Sequence, residues 1–318
     1  KWISENIEIF GGDPNNIVLS GQSNGALSVL VQLCIKENEE LFNRAILMSP
    51  AFPEIRSVEV AKQMSDKALI NSGIRSLEYA SLKDILKIKD NFMNLVIDDE
   101  LFKDDILNIL KKGDFIKMPI LVGTCSDEFS IYDNFLFRYF LGIKSDEKHS
   151  EKKYRKYFGN YYDEFMMILK EKKDDISQIQ IKMLGYIFHK SALQIMEYFS
   201  IYSDVYAYYS EFAPTVFGKK NGAYHGSDIS MLFDNLEVED SIYKLESNIF
   251  RDDIISFIKY GKIDGYPVYK KDSRNIRIYS NKSKKDIEYP NFNLLWSMIQ
   301  DGVFEKLFDD IFSKFRNR

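Results

Sequence analysis

Short apolar runs of strand character alternate along this chain with longer stretches in which apolar residues recur at helical spacing. The strand runs are residues 17–20, 44–49, 119–124 and 204–209, and residues 274–279 alternate as a last one. Between the first two lies a helical pattern of Ala26, Leu27, Val29, Leu30, Val31, Leu33 and Cys34. Residues 1–10 read as the end of a helix, stopped by Gly11 and Gly12 and the turn residues Asp13, Pro14, Asn15 and Asn16. Residues 58–110 look mainly helical, with Val60, Met64, Ala68 and Leu69 on one face, and residues 156–200 are helix-rich. The tail, residues 291–315, carries a stripe of Leu295, Met298, Val303, Leu307 and Ile311, read as core packing. Strand runs separated by helices predict an α/β fold with a mostly parallel central sheet and helices on both faces. The charged stretch from Ser145 to Lys156 reads as a solvated loop. An aromatic-rich run at 131–140 reads first as packing and second as a pocket wall.

Composition changes little in this picture. The 318 residues are 45% hydrophobic and 29% charged, enough for one large core, with no internal repeat or linker to divide it, so residues 1–318 are expected to form one domain. A net charge of −5 with interspersed signs provides no basic stripe for nucleic acid. No apolar run is long enough to cross a membrane. Cys34 and Cys125 both sit in apolar patterns, which predicts free buried thiols rather than a disulfide. That favours a reducing compartment such as the cytoplasm, with a signal peptide left open because the chain starts at Lys1 rather than Met. Oligomeric state has no signature in the sequence.

The chemistry starts where the first strand run meets the first helix, in Gly21, Gln22, Ser23, Asn24 and Gly25. A Gly-x-Ser-x-Gly turn between strand and helix is the layout of a nucleophile elbow, here residues 17–34. It holds a serine in strained backbone with its hydroxyl exposed, and Gly21 and Gly25 are expected to let strand and helix pack closely. Ser23 is therefore the candidate nucleophile, and it needs a base and an orienting acid. Of the three histidines, His149 lies in the charged run and His189 inside an apolar helical pattern. His225 lies in a glycine-containing loop, 221–228, after a strand and before a helix start, where hydrolases of this layout carry their base. The acid should leave a strand between serine and histidine, and the strand segment 118–128 ends in Asp127 and Glu128. Asp228 reads as a helix N-cap.

These stretches resemble the type-B carboxylesterase/cholinesterase family of α/β-hydrolases. The resemblance runs through Phe10 to Ile17 before the elbow and Phe42 to Ser49 after it, then Val96 to Asp98, Pro119 to Thr124 with Asp127 and Glu128, and Tyr224 to Asp228 with Leu232 and Phe233. It implies Ser23 as nucleophile, Glu128 rather than Asp127 as acid, and His225 as base. It further implies that the backbone N–H of Asn24 belongs to the oxyanion hole and that Ser49 supports the acid, although Pro50 replaces the usual glycine beside Ser49. Gln22 and Asn24 depart from the commonest Glu and Ala at their positions. The family's upstream His-Gly-Gly-Gly-type oxyanion loop has no counterpart in these residues. The resemblance is therefore to the C-terminal part of such a protein, incomplete at its N-terminus, with the elbow strand expected to lack flanking strands and the chain expected to be poorly stable alone.

Two readings follow. One is a serine carboxylic ester hydrolase working through an acyl-enzyme, with a small-molecule ester as substrate and no cofactor or metal. The alternative is a catalytically incompetent fragment or a non-catalytic, esterase-like binding scaffold.

Overall fold

The computed structural model describes residues 1–52, 56–88, 95–98, 100–132, 147–169, 176–216, 219–220, 222–235, 241–280, 287–305 and 307. The five strand runs become β1 (Val18–Gln22), β2 (Arg44–Met48), β3 (Ile120–Cys125), β4 (Val205–Ser210) and β5 (Asn275–Tyr279), with the short β6 (Ile287–Glu288) at the far edge. They form one six-stranded sheet in chain order, β1 to β6, parallel except for the antiparallel β5–β6 pair. Among the described residues β1 has β2 as its one neighbour in the sheet.

Period-two alternation along each strand divides the core between the two faces. Ala45, Leu47, Ile120, Val122, Val205, Ala207, Ile276 and Ile278 face one cluster. Into it pack α1 (Asn24–Leu33), α2 (Ile106–Lys112), α3 (Ile176–Phe199) and α6 (Phe292–Gln300). Ile46, Met48, Leu121, Tyr206, Tyr208 and Tyr279 face the other, covered by α4 (Ser227–Phe233) and α5 (Ser241–Tyr260). Strands that read as continuous apolar runs do so because both faces are buried. Gly123 lies on β3 where the Tyr208 ring of β4 crosses it, and a Cβ there would fall 2.1 Å from the ring.

Leu295, Met298, Val303 and Leu307 are core residues, as the tail stripe predicts, and Ile311 lies outside the described residues. The aromatic run is described only as far as Tyr132. Cys34 and Cys125 are free and buried, and burial pushes the Cys34 thiol up to about 12.

Three expectations are corrected. The charged run is a helix, Glu147–Phe158, rather than a solvated loop. Tyr154 and Phe158 supply the buried anchors, and an Arg155–Glu151 pair one turn apart supports its outer face. High charge density masked one short apolar stripe. In the helix Val58–Ser72, only Ala68 of the four predicted face residues is buried, and Val60 is exposed. Asp228 is also not an N-cap. Gly226, at φ 83°, takes the cap position, and Asp228 falls inside the first turn of α4 with its carboxylate buried.

Candidate active site

The register of parallel strands brings three of the predicted site segments together. Gln22 pairs with Met48 and Met48 with Gly123, so β1, β2 and β3 end at the same edge. Two bonds continue the ladder past the strand ends, Ser23 N–H to Met48 O (2.9 Å) and Ser49 N–H to Gly123 O (2.7 Å). Ser23, Ser49 and the turn carrying Glu128 therefore emerge side by side. In open α/β sheets this C-terminal edge is where ligands bind.

Ser23 stands between β1 and α1 at φ 58°, ψ −122°, a combination costly for a residue with a Cβ. Asn24, an exposed residue, opens α1, so its backbone N–H is a first-turn donor with no acceptor inside the helix. The two elbow glycines are not equivalent. A Cβ on Gly21 would lie 2.2 Å from the backbone of Gly25, whereas a Cβ on Gly25 meets nothing within 4 Å. The close packing expected of both therefore needs only Gly21 bare. Gly21→Ala should lower stability by about 1–3 kcal/mol through overpacking. Gly25→Ala should raise it by up to about 1 kcal/mol as a glycine-to-alanine change in a helix. Urea melts of the two variants check the contrast, and equal effects would contradict it.

Glu128 is fully buried, and among the described residues all its hydrogen-bond partners are donors. Its Oε1 accepts from the Ser49 hydroxyl (2.7 Å) and the Cys125 backbone N–H (2.8 Å), and its Oε2 accepts from His225 Nδ1–H (2.6 Å). Ser49 is itself fully buried and held at φ 46°. The histidine loop is stitched to the acid turn through backbone bonds: Asp127 N–H to Ala223 O (3.0 Å) and His225 N–H to Glu128 O (2.9 Å). Among the described residues the hydrogen bonds of the imidazole go to Glu128 and Gln22, not to Asp127. Its carboxylate accepts from Ser126 Oγ (2.6 Å) and Ala223 N–H (3.4 Å), which makes it a fastener of the loop.

Four further groups stand at the site that the sequence pattern did not single out for it. Phe188, in the apolar run of α3, lies against the His225 ring at 4.3 Å between centroids and 31° between planes. Asp228 accepts from Tyr208 OH (2.6 Å) beneath the histidine loop, and burial raises its carboxyl to about 6. His189 packs against Thr124 and Tyr289 on the other side of β3, and burial lowers it to about 4. The Gln22 side-chain amide lies 3.0 Å from His225 Nε2. Gln22 was visible only as a departure from the family's usual glutamate. His149 lies in the helix Glu147–Phe158, in a segment separate from these residues. Among the described residues no group of His, Cys, Asp and Glu is arranged to hold a metal.

A mostly parallel sheet covered on both faces, with a serine at positive φ in a strand-to-helix turn and a carboxylate–histidine pair on later loops, defines an α/β-hydrolase. The chain belongs to the Carboxylesterase family, whose profile matches residues 1–293. It is 26% identical over 323 residues to the para-nitrobenzyl esterase of Bacillus subtilis (strain 168), an alignment covering 89% of this chain and 62% of that protein. An acetylcholinesterase of Bungarus fasciatus is 32% identical over 155 residues, covering 42% of this chain and 25% of that enzyme. Among solved structures, a carboxylesterase of Geobacillus stearothermophilus superposes with a TM-score of 0.75 at 23% identity, covering 93% of this chain and 66% of the other. The chain thus spans a little under two thirds of the length of such relatives.

Proposed function

We propose that this chain carries the catalytic triad of a serine carboxylic ester hydrolase, with Ser23 as nucleophile, His225 as base and Glu128 as acid. The observation that carries the reading is the hydrogen-bonded series from Ser49 and Cys125 through Glu128 to His225, next to a serine held at positive φ. Ser23 Oγ attacks the acyl carbon of a small-molecule ester while His225 Nε2 takes the hydroxyl proton. Glu128 holds the proton on Nδ1 and stabilises the imidazolium, and the Asn24 N–H donates to the oxyanion. The alcohol departs with the proton from His225. Water activated by the same nitrogen then releases the carboxylic acid from Ser23. Each of these steps is assigned to side chains and backbone, without a cofactor or metal.

Intact-mass labelling with a fluorophosphonate tests the assignment. A single adduct is expected on the chain and none on its Ser23→Ala variant, with circular dichroism unchanged between them. An adduct of equal yield on the variant would move the nucleophile elsewhere. A folded chain that takes no adduct would support the non-catalytic scaffold instead.

A further inference from the structure

The hydrogen bonds around His225 account for both ring nitrogens. Nδ1–H is committed to Glu128 Oε2, so the neutral ring has a single lone pair, on Nε2. The Gln22 amide stands 3.0 Å from that atom and, having two N–H donors, supplies the proton of the bond. Gln22 is well placed to keep this position, since it closes β1 directly beneath the turn at Gly226, whose added Cβ would lie 3.6 Å from the same amide nitrogen. Ser23, the next residue, needs the same lone pair to give up its proton. Among the described residues the hydrogen bonds of the His225 ring go to Gln22 and Glu128, and none joins it to Ser23 Oγ.

We propose that Gln22 is a positioning residue that latches the base: its amide occupies His225 Nε2 in the free protein, and acylation of Ser23 begins by exchanging that hydrogen bond for one from the serine hydroxyl. The inference rests on the triad reading above. A carboxylate, which the family resemblance leads one to expect at this position, has no donor to offer a neutral imidazole. The latch is a property of the amide. Glu128 already fixes the tautomer through Nδ1, so the amide's effect is to make each encounter with an ester compete against an internal donor.

Gln22→Met keeps the length of the side chain and removes the donor. In labelling by a fluorophosphonate, the Ser23 Oγ–P bond forms as P–F breaks, fluoride leaves and His225 Nε2 receives the serine proton. The second-order labelling rate of the variant should rise about fivefold, the factor that one ordinary hydrogen bond contributes. Loss of a merely structural contact would slow labelling; only removal of a competitor quickens it. A second measurement needs no mutation: in the ¹⁵N-labelled wild-type chain, NMR should detect a coupling across the hydrogen bond between Gln22 Nε2 and His225 Nε2. Absence of that coupling, or a variant rate equal to or below wild type, overturns the latch while leaving the triad standing. A folded wild-type chain that shows the coupling but takes no label overturns the triad reading, and the latch with it.

Discussion

Glu128→Gln should lower ester turnover by about four orders of magnitude, a loss of the size seen when a triad acid becomes an amide and the base is left in the wrong tautomer. Glu128 is fully buried and accepts on both oxygens. A glutamine offers one oxygen and one NH₂, so one of those demands goes unmet. With its oxygen toward Ser49 and Cys125 N–H, its NH₂ faces His225 Nδ1. The imidazole must then carry its proton on Nε2, where it can no longer accept one from Ser23. The reverse orientation sets NH₂ against the Cys125 N–H and leaves a buried backbone donor unpaired, which costs about 1–3 kcal/mol. The first orientation therefore prevails, and the protein stays folded but nearly inactive. Asp127→Asn is the control. Its amide oxygen can still accept from Ala223 N–H, and the ring's hydrogen bonds go to Glu128 and Gln22 instead, so its loss should be far smaller. Steady-state kinetics on a para-nitrophenyl ester separate the two, and a larger loss for Asp127→Asn would reassign the acid.

How much of this was legible in the sequence depended on whether a signal was local. All five long strands stand within a residue or two of their predicted runs. The central β2, β3 and β4 do so because strands buried on both faces carry few polar positions to blur them, and β5 because its apolar residues alternate. The candidate serine, acid and histidine were picked out from their places after strands; parallel register brings the first two to one edge, and the histidine loop joins them through its backbone bonds to the turn at Asp127 and Glu128. Contacts between side chains on different elements were not legible. Nothing in Ile187-Phe188-His189 says that the phenyl ring lies against His225 while its neighbour faces Thr124 and Tyr289. Asp228 looked like a cap because its type and position suit one, and only the left-handed Gly226 before it shows that the helix starts earlier. The helix Glu147–Phe158 was hidden for the opposite reason: charge dominates its composition, and two buried aromatics are enough to fix it.

Two of those buried groups should have opposite and nearly cancelling effects on acid stability. Burial lowers His189 from 6.5 to about 4, with Glu128 and Asp127 opposing the shift. A lowered folded value means stability that is present above pH 6.5 and lost as pH falls through 4, because the unfolded chain takes up the proton first. Burial raises Asp228 from 3.8 to about 6 against the hydrogen bond from Tyr208. A raised folded value means the reverse, stability present below 3.8 and lost as pH rises through 6. Each shift corresponds to about 3 kcal/mol, and the two windows overlap almost completely. Asp228→Asn keeps an acceptor for Tyr208 and removes the acid's titration. Relative to wild type its stability should fall by about 3 kcal/mol between pH 6.5 and pH 4, His189 now acting unopposed. His189→Gln keeps a polar partner for Thr124 and Tyr289 and should do the opposite, gaining on wild type by about the same amount over the same range. Urea denaturation midpoints across that range measure both differences, since every other carboxylate titrates alike in the three proteins. Curves for the two variants that run parallel to wild type would show that neither buried group changes its ionisation on folding. Diverging curves would place two compensating ionisations on opposite sides of β3, the strand that delivers Glu128.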